Sequence, residues 1–146
     1  MRILVLNGPN LDMTGKREPE IYGTRSLDDI IRALETHAAE HGASVEHVQT
    51  NYEGRLIDEL HAAGDAFDGV LINPGAFTHY SYALRDAIAC TPVPVGEVHM
   101  SDITKREPFR AVDVIEDVCA FRVMGMGARS YTVGLDRLIE TIEKAK

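Results

Sequence analysis

The chain has 146 residues, 45% apolar and 26% charged, the proportions of a globular domain rather than a disordered, fibrous or membrane-embedded chain. Fifteen Lys and Arg against 23 Asp and Glu give a formal net charge of −8, which argues against nucleic acid and an anionic membrane surface as partners, since both call for a basic footprint. Trp is absent and the two cysteines, Cys90 and Cys119, lack CxxC spacing, so aromatic stacking platforms are poorly supplied and the thiols read as free and buried in a reducing cytosol, with a single disulfide as the alternative.

The apolar run Ile3–Leu6 stops at Asn7-Gly-Pro-Asn10, which predicts a buried strand ending in a turn. It is too short for a signal peptide, and no stretch reaches transmembrane length. The expectation is a soluble cytoplasmic protein. Ser26 with Asp29 forms a capping-box start, and Leu27, Ile30, Ile31, Leu34 and Ala38 follow helical spacing until Gly42. Val45 and Val48 mark a second strand, and Leu56, Ile57 and Leu60 a short helix ending at Gly64. Val70–Ile72 is a third strand, followed by a helix capped by Thr78 and running through Ile88. Val93–Val98 and Cys119–Met124 are the fourth and fifth strands, and Leu135, Leu138, Ile139 and Ile142 line one face of a final helix from about Ser130 to Lys144.

Short apolar strands alternating with helices predict an α/β fold, a doubly wound, flavodoxin-like five-stranded parallel sheet with helices on both faces. No linker or repeat divides residues 1–146, so a single catalytic domain is expected. Ligands of such sheets bind beyond the carboxyl ends of the strands, and the segments after strands one, three and four are the ones rich in chemistry.

The first of these, Asn7 to Arg25, is a long loop that reads as a lid. It places Lys16, Arg17 and Arg25 around Tyr22, with Gly15 and Gly23 as hinges. Neighbouring cations favour a phenolate, which makes tyrosine a usable base. The second is Asn73-Pro-Gly-Ala-Phe-Thr-His79, with Asp86 seven residues further on, a spacing that returns to the same face of a continuous helix. The third is Glu97-Val-His99-Met-Ser101, where period-two spacing puts the three polar side chains on one face. A carboxylate beside an imidazole orients it and equips a general acid; Arg106 and Arg110 follow as anion-binding candidates. The inventory holds an acid, a base and amides between them. It offers no metal cage, no cofactor loop and no acyl-transfer triad, so chemistry without metal or cofactor is expected: proton abstraction beside a carbonyl with loss of a leaving group. His37-Ala-Ala-Glu-His41 matches a metalloprotease pattern but has no companion ligand cluster in the sequence. His47 and His61 read as solvated.

Asn7-Gly-Pro-Asn-Leu11, Gly15–Gly23, Gln49–Gly54, Ile72–His79, Ala83–Ala87, Glu97–Ser101 and Arg106–Arg110 together closely resemble the type II dehydroquinases over essentially the whole chain. That resemblance implies dehydration of 3-dehydroquinate to 3-dehydroshikimate by anti elimination through an enolate, without Schiff base, metal or cofactor. It implies Tyr22 as the base, with Arg17 lowering its pKa; Asn10 as an enolate stabiliser; and His99, oriented by Glu97, as the acid. Asn73, His79, Met100, Ser101 and Arg110 would bind the anionic substrate. Asp86 would reach a neighbouring subunit of a homododecamer built as a tetramer of trimers. The pathway would be shikimate biosynthesis or quinate metabolism. The lysines lie in the tail or in charged loops, which disfavours a Schiff-base route. The alternatives are a related lyase acting on another cyclic hydroxy-keto acid, or a non-catalytic flavodoxin-like binding module. This chain departs from the family pattern at Asp12, at Asp102, where a carboxylate is expected near the substrate's own, at Ala111-Val-Asp113 and at Ser130.

Overall fold

The computed structural model describes residues 1–146 with the exception of the Tyr22 side chain. Its five strands are β1 (Arg2–Asn7), β2 (Ser44–Gln49), β3 (Gly69–Asn73), β4 (Val95–His99) and β5 (Phe121–Met124). All neighbouring pairs are parallel, in the order β2-β1-β3-β4-β5. That is the flavodoxin-like order, and its direction reverses between β1 and β3.

Five α-helices complete the chain: α1 (Pro19–Tyr22), α2 (Leu27–Glu40), α3 (Glu53–Ala66), α4 (Tyr82–Cys90) and α5 (Arg129–Lys144). Alternation along each strand divides the core between two faces. Ile3 and Val5 of β1 pack with the apolar stripes of α2 and α5, while Leu4 and Leu6 face α3 and α4. The buried residues of α2 are Leu27, Ile30, Ile31, Leu34 and Ala38, the five its spacing predicts. Burying a side chain such as Leu34, fully enclosed here, contributes about 1.5–3 kcal/mol. The predicted capping box is formed: the Ser26 hydroxyl accepts from the Asp29 amide and the Asp29 carboxylate accepts from the Ser26 amide. The chain leaves α2 through Gly42 at φ 68°, a left-handed conformation that glycine adopts without steric cost.

Several expected boundaries move. α3 runs through Gly64 to Ala66; a Cβ at Gly64 would lie 2.3 Å from the Pro92 ring, so this glycine serves close packing rather than a helix stop. β4 starts at Val95 because Pro94 lacks an amide to donate, although its carbonyl accepts from Val70. Thr78 caps no α-helix. It lies in a 3-10 helix, Gly75–His79, and the cap of α4 is Ser81, whose hydroxyl accepts from the Leu84 amide. The loop after β1 is not structureless, since it contains a 3-10 turn at Leu11–Met13 as well as α1. Cys90 is exposed rather than buried, and Cys119 is half-buried; both are free. Among the described residues no helix is long and apolar enough to cross a membrane.

Candidate active site

A cleft of about 630 Å³ opens where β1, β3 and β4 end, at the reversal in strand order. Its walls come from the three segments singled out in the sequence. Asn10 and Arg17 follow β1; Asn73 ends β3 and His79 follows it; His99 ends β4, and Met100, Ser101, Arg106 and Arg110 follow it. Pro9, Leu11, Thr14, Gly75, Ala76 and Ile103 complete the lining; as ordinary loop and apolar residues they carry no chemical signal in the sequence.

The β1 and β3 loops are pressed together. A Cβ at Gly8 would sit 2.5 Å from the Pro74 carbonyl oxygen, so only glycine lets Asn7-Gly-Pro-Asn10 lie against Asn73-Pro-Gly75. Asn10 adopts φ 67°, which asparagine tolerates, and its amide donates to Asn51 Oδ1 at 3.0 Å. Gln49 Nε2 donates to the Gly8 carbonyl. The Gln49–Asn51 segment therefore supports the loop from behind.

Asn73 is positioned by a buried polar chain that sequence reasoning missed. Its Nδ2 donates to the Tyr131 hydroxyl at 2.9 Å, and Tyr131 donates to Asn7 Oδ1 at 2.5 Å. Asn7 Nδ2 in turn lies 3.0 Å from His47 Nε2. Burial lowers the pKa of His47, consistent with a neutral ring accepting that bond; His47 is therefore a network member rather than a solvated residue. Burial also pushes the Tyr131 phenol up, so it stays protonated and able to donate. The only sequence signal was a tyrosine on the buried face of the last helix.

His79 Nδ1 lies 2.8 Å from the Val112 carbonyl, which makes Nδ1 the protonated nitrogen and leaves Nε2 as an acceptor. Burial first, with Arg110 and His99 adding, depresses its pKa. Asp86 stands exposed on α4 outside the cleft. The expected shared helical face of His79 and Asp86 does not exist, because the 3-10 helix ends at His79 and α4 begins at Tyr82.

Glu97 and His99 lie together as expected, with Glu97 Oε1 2.5 Å from His99 Nε2 and both side chains buried. The imidazole reaches the cleft and the carboxyl lies behind it. Burial pushes Glu97 up to about 9, with Asp113 adding to the rise and Thr78 and Arg122 opposing it. Burial drives His99 down to about 4. Burial thus acts against charge on both members of the pair, on the carboxylate as on an imidazolium.

Arginines supply positive charge to an otherwise acidic protein. Arg17 Nη2 pairs with Glu18 Oε2 at 3.2 Å, and Arg106 Nη2 stands 4.0 Å from the same oxygen, linking the lid to the segment after β4. Glu18 holds this place at φ 39°, a strained backbone for a non-glycine residue. Arg106 Nη1 donates to Ser101 Oγ at 3.3 Å. Tyr22 belongs to the same segment, but its side chain lies outside the described residues. Asp102 does not face the cleft. Its carboxylate caps the 3-10 helix Ile103–Lys105, accepting from the Thr104 hydroxyl at 2.6 Å and the Thr104 amide at 3.0 Å, and these bonds lower its pKa. Asp12 is exposed and also lies outside the lining.

Two groups of described residues bring possible metal-ligating atoms within 4.8 Å of one another. In Glu97, His99 and Asp113 those atoms are engaged with each other, Thr78 and Arg122. The second group, His37, His41 and Asp136, lies outside the cleft lining and clasps α2 to α5 through a 2.6 Å contact between His37 Nε2 and Asp136 Oδ1. That contact gives the His37–His41 pattern a structural role.

A flavodoxin-like sheet with a carboxyl-backed imidazole and clustered arginines at its switch point is the architecture of a small α/β enzyme. Residues 1–139 match the family described as dehydroquinase class II. A 3-dehydroquinate dehydratase of Geotalea daltonii is 51% identical over 144 residues, covering 99% of this chain and 100% of that one. Its counterpart from Anoxybacillus flavithermus is 48% identical over 98% of this chain and 97% of its own. The crystal structure of a type II dehydroquinase from Butyrivibrio crossotus superposes with a TM-score of 0.93 at 41% identity, covering 95% of this chain and 97% of that one. The chain belongs to the class II dehydroquinase family and is an enzyme, a hydro-lyase.

Proposed function

We propose that the protein removes water from 3-dehydroquinate to give 3-dehydroshikimate, by anti elimination through an enolate and without a Schiff base. The observation that carries this reading is the convergence of Asn10, Arg17, Asn73, His79, His99, Met100, Ser101 and Arg110 on one cleft, together with relatives bearing the dehydratase name along the full chain. In this reading Tyr22, as phenolate, takes the proton beside the ketone, and Arg17 favours the ionised phenol. Asn10 stabilises the enolate oxygen. His99, backed by Glu97, protonates the departing hydroxyl, and the enolate collapses to the conjugated ketone.

Asn73 and His79 receive the substrate's hydroxyls, the latter at its unprotonated Nε2. Arg110 and the Met100–Ser101 segment receive the carboxylate. Asp102 gives no ground for a different substrate, because its carboxylate is turned into a helix cap. Assembly as a homododecamer, a tetramer of trimers with Asp86 reaching a neighbouring site, fits the exposure of Asp86 beside Tyr82 one turn earlier on α4, and of Tyr80 and Phe109 nearby. The reading places the enzyme in the cytoplasm, in shikimate or quinate metabolism.

The test is ultraviolet detection of the conjugated product from 3-dehydroquinate. Wild type is expected to turn over, and Tyr22→Phe to lose at least about 100-fold in kcat, the lower end of general-base contributions. No turnover by wild type overturns the substrate; full turnover by Tyr22→Phe overturns the base.

A further inference from the structure

Behind His99 lies an arrangement that an acid–base pair alone does not require. Glu97 is fully enclosed, and Asp113 approaches it, its side chain only 2% exposed. Between them stands one hydroxyl: Thr78 Oγ1 is 2.6 Å from Glu97 Oε1 and 3.1 Å from Asp113 Oδ1. A hydroxyl has a single hydrogen and serves one carboxyl, so two anions cannot share it without repulsion; one carboxyl needs a proton of its own. Asp113 is the one equipped to stay charged. Its Oδ2 accepts from Arg122 Nη1 at 3.0 Å, and its Oδ1 accepts from the amides of Ile115 and Glu116. Among the described residues Glu97 has no guanidinium in hydrogen-bond contact, and its Oε2 is buried without a hydrogen-bond partner.

We propose that the proton delivered to the departing hydroxyl is stored on Glu97 and relayed through His99, with Asp113, anchored by Arg122, as the positioning residue that keeps it there. The inference rests on the dehydratase reading and deepens it. In the resting site Glu97 O–H donates to His99 Nε2, which fixes the ring as the tautomer with hydrogen on Nδ1, the nitrogen left for the cleft. As the C–O bond breaks, its electron pair stays with the leaving oxygen, which takes the Nδ1 proton and departs as water. The Glu97 proton moves to Nε2 in the same event, leaving Glu97 as carboxylate and the ring neutral. The base holds the proton taken from the substrate, so exchange of one proton with solvent restores the site. The imidazole never accumulates charge in its dry pocket, a state that burial opposes. The raised affinity of Glu97 for its proton agrees with this arrangement.

The charged and titratable groups facing the pair are His79 from the 3-10 helix after β3, Asp113 and Glu116 from the segment before β5, Cys119, and Arg122 on β5. Asp113 is the anion among them closest to Glu97, so Asp113→Asn tests the idea while preserving shape. Three readouts on the full-length protein are decisive. At pH 7 the resting wild type is expected to show a carboxylic-acid C=O infrared band that Glu97→Gln removes. Its His99 nitrogens are expected to show 15N shifts of a neutral ring with hydrogen on Nδ1. The alkaline limb of kcat is expected to fall by at least one pH unit in Asp113→Asn, because loss of the anion makes the stored proton easier to remove. A purely structural role for Asp113 would lower kcat and leave that limb in place, which overturns the proposal. So does an ionised Glu97 beside an imidazolium in resting wild type. The spectroscopic readouts need no turnover, so they stand even if 3-dehydroquinate is not the substrate.

Discussion

Replacing Tyr131 with phenylalanine removes one oxygen from the centre of the molecule and tests whether the chain behind Asn73 is held by hydrogen bonds or merely packed. The hydroxyl accepts from Asn73 Nδ2 at 2.9 Å and donates to Asn7 Oδ1 at 2.5 Å, and none of the three residues is more than 3% exposed. Two net hydrogen bonds at about 0.5–1.5 kcal/mol each give a loss of about 1–3 kcal/mol. The upper half applies here, because Asn7 Oδ1 is left buried without a donor and the vacated space is smaller than a water needs. At about 2–3 kcal/mol, a chain of this size should lose about 4–12 °C in Tm. Urea unfolding at matched protein concentration should show a lower midpoint with an unchanged slope. Without the hydroxyl that accepts from its Nδ2, the Asn73 amide can rotate out of the cleft, so KM should rise more than kcat falls. A variant within about 0.5 kcal/mol of wild type, with unchanged KM, would refute the reasoning and show that Asn73 is placed by its backbone alone.

Ser26→Ala removes the hydroxyl that accepts from the Asp29 amide and should cost about 1 kcal/mol, read as a fall of about 2–4 °C in Tm with activity intact. The Glu97–His99 pair sets a pH profile whose sign follows from its two displaced pKa values. Glu97, raised from 4.5 to about 9, contributes stability that is complete below pH 4.5 and is lost as pH rises towards 9; His99, lowered from 6.5 to about 4, contributes stability that is complete above pH 6.5 and is lost as pH falls towards 4. The slopes cancel between 4.5 and 6.5, so this pair's contribution should be flat there and decline from 6.5 to 9 by at most about 1.4 kcal/mol per pH unit. Urea midpoints across that range should show the decline in wild type and a flatter profile in Glu97→Gln; identical profiles would contradict it.

What could be read from sequence divides along a physical line. Strands and long helices were legible because burial imposes a period. Ile3 and Val5 against Leu4 and Leu6, or Leu27, Ile30, Ile31 and Leu34 along α2, declare their faces whatever they pack against. The cleft residues were legible because unusual polar residues clustered after strands whose parallel order puts those ends together. Boundaries failed where a distant partner decided them. Gly64 is a glycine because Pro92 leaves no room for a side chain there, and Thr78 turned from an expected cap into a buried donor because two carboxyls from later in the chain flank it. Asp102 looked dangerous only while its neighbours in space were unknown; the Thr104 hydroxyl and amide two residues on account for its charge.

The acidic composition of the chain is the clearest case of a global property hiding a local one. A net charge of −8 says nothing of where the charges are, and the cleft draws Arg17, Arg106 and Arg110 to one edge. The acidic surplus is not confined to the surface either. Glu97 and Asp113 carry it into the interior, where Arg122 pairs with Asp113 and with the more exposed Glu116 but makes no hydrogen bond to Glu97. Desolvation and mutual repulsion then leave neutralisation by a proton as the cheaper state for Glu97. A buried acid that keeps its proton at neutral pH, two residues along the strand from an imidazole reaching the cleft, is thus a direct consequence of placing one more carboxylate than cation beneath the site.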